Sequence, residues 1–365
     1  MKVPQRPEWT NKYKNNWDGA YERMMAWWEG ESIDRPLIVS SIPKPDPKLF
    51  IPVHDPGTQE LRELDEQYVF EKNRHILESN LFLAESVPCA RNCYAAWICM
   101  LGGMAGSKVK YSTGSAWLEE VDNLYDRPLP VFNKDFLPFA LTISLMKRHS
   151  KEFGLDCILG SDSLIDPITT LSMMRGVENL CLDLIDQPEV VKMWIDSLSE
   201  IRDNIANGYK KAHQSLGRCE EINWCGIWAP GEMDLIECDF STMLSNEMFN
   251  EFALPEAEKE AGFYDYVGWH LDGTAEIRHL DAICSIYNMK VIQWVSDTFT
   301  TQMDHIDLFK KIRKLGKSLI FVCNSIDEAV AVTKEIGKDG LAFDLSSVVK
   351  TEKDMEDAIK RLKKL

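Results

Sequence analysis

Basic charge is the first thing this 365-residue chain is short of: 41 lysines and arginines face 58 acidic residues, a formal net charge of −17. No local cluster of lysine and arginine offsets that balance, which argues against a nucleic-acid partner while leaving room for a small anionic ligand. Long apolar runs are also missing. No stretch reaches the roughly 18 apolar residues of a membrane span. The opening "MKVPQRPEWTNKYKNNWDG" has no apolar signal region, so a cytoplasmic address is expected. The ten cysteines follow no regular spacing, and reduced thiols packed as small hydrophobes are expected instead of a disulfide framework. "GGMAG" near Gly102 lacks the spacing and preceding strand of a dinucleotide fingerprint.

What the chain does have is 45% hydrophobic and 27% charged residues, the composition of a folded protein. An aromatic N-terminal helix, "GAYERMMAWWEGESIDRP", leads into the strand candidate "PLIVSSI". Beyond Asp135 short unalternating apolar strands alternate with amphipathic helices, most clearly in "YDYVGWH", "MKVIQWV", "SLIFVCN" and "GLAFDL" with the helices between them. Such strands belong in a parallel sheet covered on both faces. Strands beginning at Leu37, Leu155, Glu221, Asp234, Tyr264, Met289, Ser318 and Gly340 bring the count to about eight. We therefore expect a (β/α)8 TIM barrel over 1–365, with 1–36 as an N-terminal helical extension. "DLIECDF" is the weakest strand in the count.

A barrel collects the C-terminal ends of its strands at one mouth, so polar residues there are the candidates for chemistry. They include Asp162 after "CILGS", Trp228 and Glu232 around "GIWAPGE", and His270 with Asp272. Gln293 with Trp294, Cys323 with Asn324, and Asp344 complete them. His270 and Asp272 are two apart, so a strand continuing through both places them on one face. Such a pair can ligate a metal, or the carboxylate can orient the imidazole for proton transfer. With Cys323 they make a three-residue candidate for zinc. The plainer reading has Asp272 capping a turn and Cys323 packed in the core. Asp162 and Glu232 are candidate acid–base groups. Trp228, Gln293, Trp294 and Asn324 are candidate substrate contacts, with Trp269 a further member of an aromatic wall. His279, on the helix after the histidine strand, is expected at the surface.

The segments "ERMMAWWEGESIDRPLIV", "SDSLIDPITTLSMMRGVENLCLDLIDQPEVV" and "EFALPEAEKEAG", together with the His270 strand, resemble the uroporphyrinogen decarboxylase superfamily. That superfamily also contains zinc-dependent methyltransferases serving corrinoid proteins. The methyltransferase branch carries His-x-Cys-Gly at this strand end, with a second cysteine farther along. Here the sequence is "HLDG": His270 is kept, Asp272 replaces the first cysteine, and Cys323 is the candidate for the distant thiolate. The decarboxylase branch binds a carboxylate-rich tetrapyrrole through an arginine-bearing N-terminal motif. Arg23, Arg35 and Arg74 stand in the N-terminal region without its "RQAGR" pattern, and Arg91 is a further candidate anion contact. The resemblance implies methyl transfer between a small methylated substrate and a corrinoid protein or thiol, with zinc as metal. A metal-free decarboxylase or lyase, and a noncatalytic binding barrel, remain the alternatives.

Overall fold

A computed structural model describes residues 8–91, 96–112, 115–160 and 163–365. The expected alternating α/β barrel is the fold. Its strands are β1 (Leu37–Pro43), β2 (Cys89–Ala90), β3 (Ile158–Leu159), β4 (Met233–Glu237), β5 (Tyr266–Asp272), β6 (Met289–Val295), β7 (Ser318–Val322) and β8 (Leu341–Asp344). Strands β4, β5, β6, β7, β8 and β1 form one continuous parallel ladder, and β2 pairs in parallel with β3. The Glu85 N–H donates to the Ile38 carbonyl (3.2 Å) and the Ser40 N–H to Ser86 Oγ (2.7 Å), tying β1 to the segment that enters β2. Between β3 and β4 a small hairpin, Glu221–Ile222 with Trp228–Ala229, packs against both.

One strand assignment holds against its weakness and one changes. "DLIECDF", the weakest candidate from sequence, is a true strand and supplies β4 at one end of the ladder, paired with β5. "EEINWCGIWAP" is the hairpin and not a barrel strand. The two-residue β2 carried no periodicity to read, because alternation needs at least four residues to show.

Alternation also separates two cores. Tyr266, Val291, Ile320 and Ala342 point into the barrel, where they meet Trp228 and the N-terminal helix. Trp269, Leu271, Ile292, Trp294, Leu319, Phe321 and Cys323 point outward into the helical layer. The helix Trp17–Trp28 starts where the Asn16 side chain accepts from Gly19 N (3.1 Å). Its buried positions 17, 20, 24, 27 and 28 form one stripe at helical spacing. Trp27 Nε1 donates to the Gly340 carbonyl (3.1 Å) and Trp28 Nε1 to that of Trp228 (3.0 Å), so the stripe closes the N-terminal end of the barrel. Among the described residues no helix is long and apolar enough to cross a membrane, and the cysteines are free thiols.

Candidate metal centre

The β4–β5–β6 register puts Glu237 opposite His270 and His270 opposite Gln293. On β5, Val267, Trp269 and Leu271 enter the helical layer. The intervening His270 therefore faces the barrel interior. Asp239, two residues beyond Glu237, opens a short 3-10 helix at the end of β4. Ligand atoms of Glu237, Asp239 and His270 all lie within 4.8 Å of one another. His270 Nδ1 is hydrogen-bonded to Gln293 Oε1. A carboxamide oxygen only accepts, so Nδ1 carries the proton and Nε2 keeps the lone pair.

Burial works against ionising these carboxylates. The Glu237 carboxyl sits well above the usual carboxylate range, first because it is buried and then because Asp239, Asp166, Asp234 and Glu260 add negative charge. Its Oε1 is buried without a hydrogen-bond partner. Asp239 keeps solvent access, yet the protein crowded around it raises its pKa, His270 lowers it and Asp272 raises it again. Next to them Glu276 is pushed up to about 8 by burial, although it accepts from Ser241 Oγ and the Asp272 N–H. An orphaned carboxylate oxygen, a second carboxylate and an imidazole with a fixed tautomer fit a divalent cation. A cation would supply the positive charge that this corner lacks.

Asp272 shares the inward face of β5 with His270, as the strand reading required, but stands exposed at its end and outside the three-residue cluster. Cys323 is not part of the cluster. It continues the outward parity of Leu319 and Phe321, is fully buried in the helical layer, and burial holds its thiol protonated. Gln293 does reach the site, through His270.

The other expected contacts divide. Arg91 lines a cavity of about 660 Å3 beside the mouth, together with Val39, Ser41, Trp224, Asp344 and Ser346. Its guanidinium donates to the carbonyls of Asn223 (2.6 Å) and Trp224 (3.3 Å). Neither Trp228 nor Trp294 lines that cavity, so the expected aromatic wall is absent. Trp228 plugs the barrel's closed end, edge-on to Trp9 at 5.4 Å, and Trp294 packs outward on His305 at 4.9 Å, with Trp269 on the same outer side. Glu232 stands before β4, where its carbonyl accepts from Asp265 and Tyr266 at the start of β5, so it lies at the opposite end from His270. Burial raises its pKa there. Asn324 is exposed and its N–H donates to Glu328 (2.8 Å). Asp162 lies outside the described residues. His279, expected at the surface, is buried and stacked on Phe249 at 4.2 Å.

The N-terminal arginines pair internally: Arg23 with Asp34, Arg35 with Glu85 and Arg74 with Glu152. Sequence reading missed Glu237 and Asp239. The signal was present, since "ECD" repeats the polar–x–polar pattern of "HLD" at the end of the neighbouring strand.

No protein-family model matches the chain, and the search of curated proteins finds no match. Among solved structures, a methyltransferase from Methanosarcina mazei is similar with a TM-score of 0.59 and 14% identity, over 94% of this chain and 97% of that one. At that identity the likeness establishes the fold alone.

Proposed function

We propose that this protein is a metal-assisted methyltransferase of the uroporphyrinogen decarboxylase-like barrel class. It moves a methyl group between a small methylated substrate and a corrinoid carried by a partner protein, or a thiol. The observation that carries this reading is the clustering of Glu237, Asp239 and His270 within 4.8 Å at the barrel mouth. The likeness to a methyltransferase over nearly the whole chain supports it. Zinc suits a mixed oxygen and nitrogen donor set.

Glu237, Asp239 and His270 hold the metal, and Gln293 keeps His270 in the tautomer that leaves Nε2 to bind. When bound, the metal supplies Lewis acidity to the heteroatom that gives up or receives the methyl group. Asp272, at the solvent edge beside Asp239, adds negative charge facing the incoming group. The cavity lined by Arg91 and Trp224 receives the small substrate.

The test uses zinc-loaded protein with free methylcobalamin and a series of small thiols, following demethylation by absorbance. Zinc-dependent demethylation, lost with His270→Ala, is the expected result. Equal rates with and without protein for every thiol, in zinc-replete samples, would overturn the proposal.

A further inference from the structure

The hairpin between β3 and β4 places an unexpected residue next to the metal centre. At its tip Gly226 takes φ +81, and a Cβ there would come within 3.0 Å of Val39 Cγ1, so the turn both requires and has room only for glycine. The tip is tied inside by Asn223, whose N–H donates to the Ile227 carbonyl (2.9 Å) and whose Oδ1 accepts from the Ile227 N–H (3.0 Å). It is tied from outside by Arg91, which donates to the Asn223 and Trp224 carbonyls. Trp224 is thus held in one place. One side of it lines the 660 Å3 cavity, and its ring meets His270 at 5.0 Å with the planes 81° apart. Glu237, Asp239 and His270 do not line that cavity themselves.

We propose that Trp224 is a specificity-determining residue: its indole stands between the substrate cavity and the metal ligands and limits the size of the group that reaches them. Arg91 is its positioning residue, because it fixes the backbone that carries the indole. The inference rests on the metal reading of the Glu237–Asp239–His270 cluster. A rigid aromatic wall passes a methyl-sized group and rejects a larger one by overlap, and differences of this kind amount to roughly 10–200-fold in binding.

The test loads the protein with Co(II) and titrates methanethiolate and benzenethiolate as small and bulky probes, reading the sulfur-to-cobalt charge-transfer band. Wild type binds methanethiolate and discriminates against benzenethiolate. Trp224→Ala retains Co(II) and binds benzenethiolate about tenfold tighter or better, with methanethiolate little changed. Trp224→Phe, a smaller aromatic suited to the same contacts, shifts the preference in the same direction by less, and it carries the test if the alanine variant does not fold. Arg91→Lys also weakens discrimination, because an ammonium cannot reproduce the guanidinium's fork to two carbonyls. Unchanged thiolate preference in the folded Trp224 variants, with Co(II) bound, overturns the gate and leaves the metal centre standing. Absence of Co(II) binding that depends on His270 overturns the metal centre and the gate with it.

Discussion

At the closed end of the barrel, aromatic side chains pack on one another and most of their indole N–H groups are answered, Trp9 Nε1 being the exception. Trp17, Trp27, Trp28 and Trp228 each donate an indole N–H to a backbone carbonyl. At the open end the polar groups outnumber their partners. Glu237 has an unanswered oxygen, its carboxyl resists ionisation, and the pKa of the Asp239 carboxyl is raised by its surroundings and by the nearby Asp272. The same strands run through both regions. The contrast shows where the chain favours stability and where it holds groups in a costly arrangement that a ligand can relieve.

Mutations at the two ends should separate these roles. Trp228→Ala removes a fully buried indole from the closed end, and we expect a loss of about 3–5 kcal/mol of stability. Metal retention by the folded fraction should persist; denaturant titration and metal analysis on one sample check both. At the open end Gln293→Leu should do the reverse, weakening metal binding by about 10–100-fold through loss of the His270 partner. Its melting temperature without metal should stay close to wild type, and a competitive chelator titration measures the affinity. Cys323→Ala should cost about 1 kcal/mol, an ordinary buried truncation. It should leave metal content unchanged, and a fall to metal-free protein would restore the thiolate ligand.

Glu276 gives an effect that depends on pH. Its folded pKa of about 8 lies above the ordinary 4.5, so the folded state holds a proton that the unfolded chain releases between these values. Stability contributed by this group is therefore greatest below pH 4.5 and falls as pH rises toward 8. Glu276→Gln, which mimics the neutral acid, should melt near wild type at pH 5 and above it at pH 9, both in chelator-treated protein. A constant difference at the two pH values would show that Glu276 ionises normally.

Much of this was legible in the order of residues. The barrel followed from the strand–helix alternation after Asp135, and His270 from its place at the end of an apolar strand. Strand parity also held the corrections. Gln293 and Trp294 are neighbours in β6, so they cannot both face the interior, and Cys323 shares its parity with Leu319 and Phe321. Trp228 and Glu232 were misplaced because a hairpin was read as a barrel strand, which turned a strand's beginning into another strand's end. Glu237 and Asp239 needed a tertiary fact. Only the ladder, with β4 beside β5, brings them to a histidine more than thirty residues away.

The function proposed for the open end requires that it hold a metal through its carboxylates and His270. Metal analysis by mass spectrometry, on protein equilibrated with zinc and then passed through a desalting column, tests this most directly. Wild type and Cys323→Ala should retain zinc in stoichiometric amount, while His270→Ala and Glu237→Gln should lose it and remain folded. Zinc retained undiminished by the folded His270→Ala and Glu237→Gln variants, or absent from folded wild type, would contradict the account.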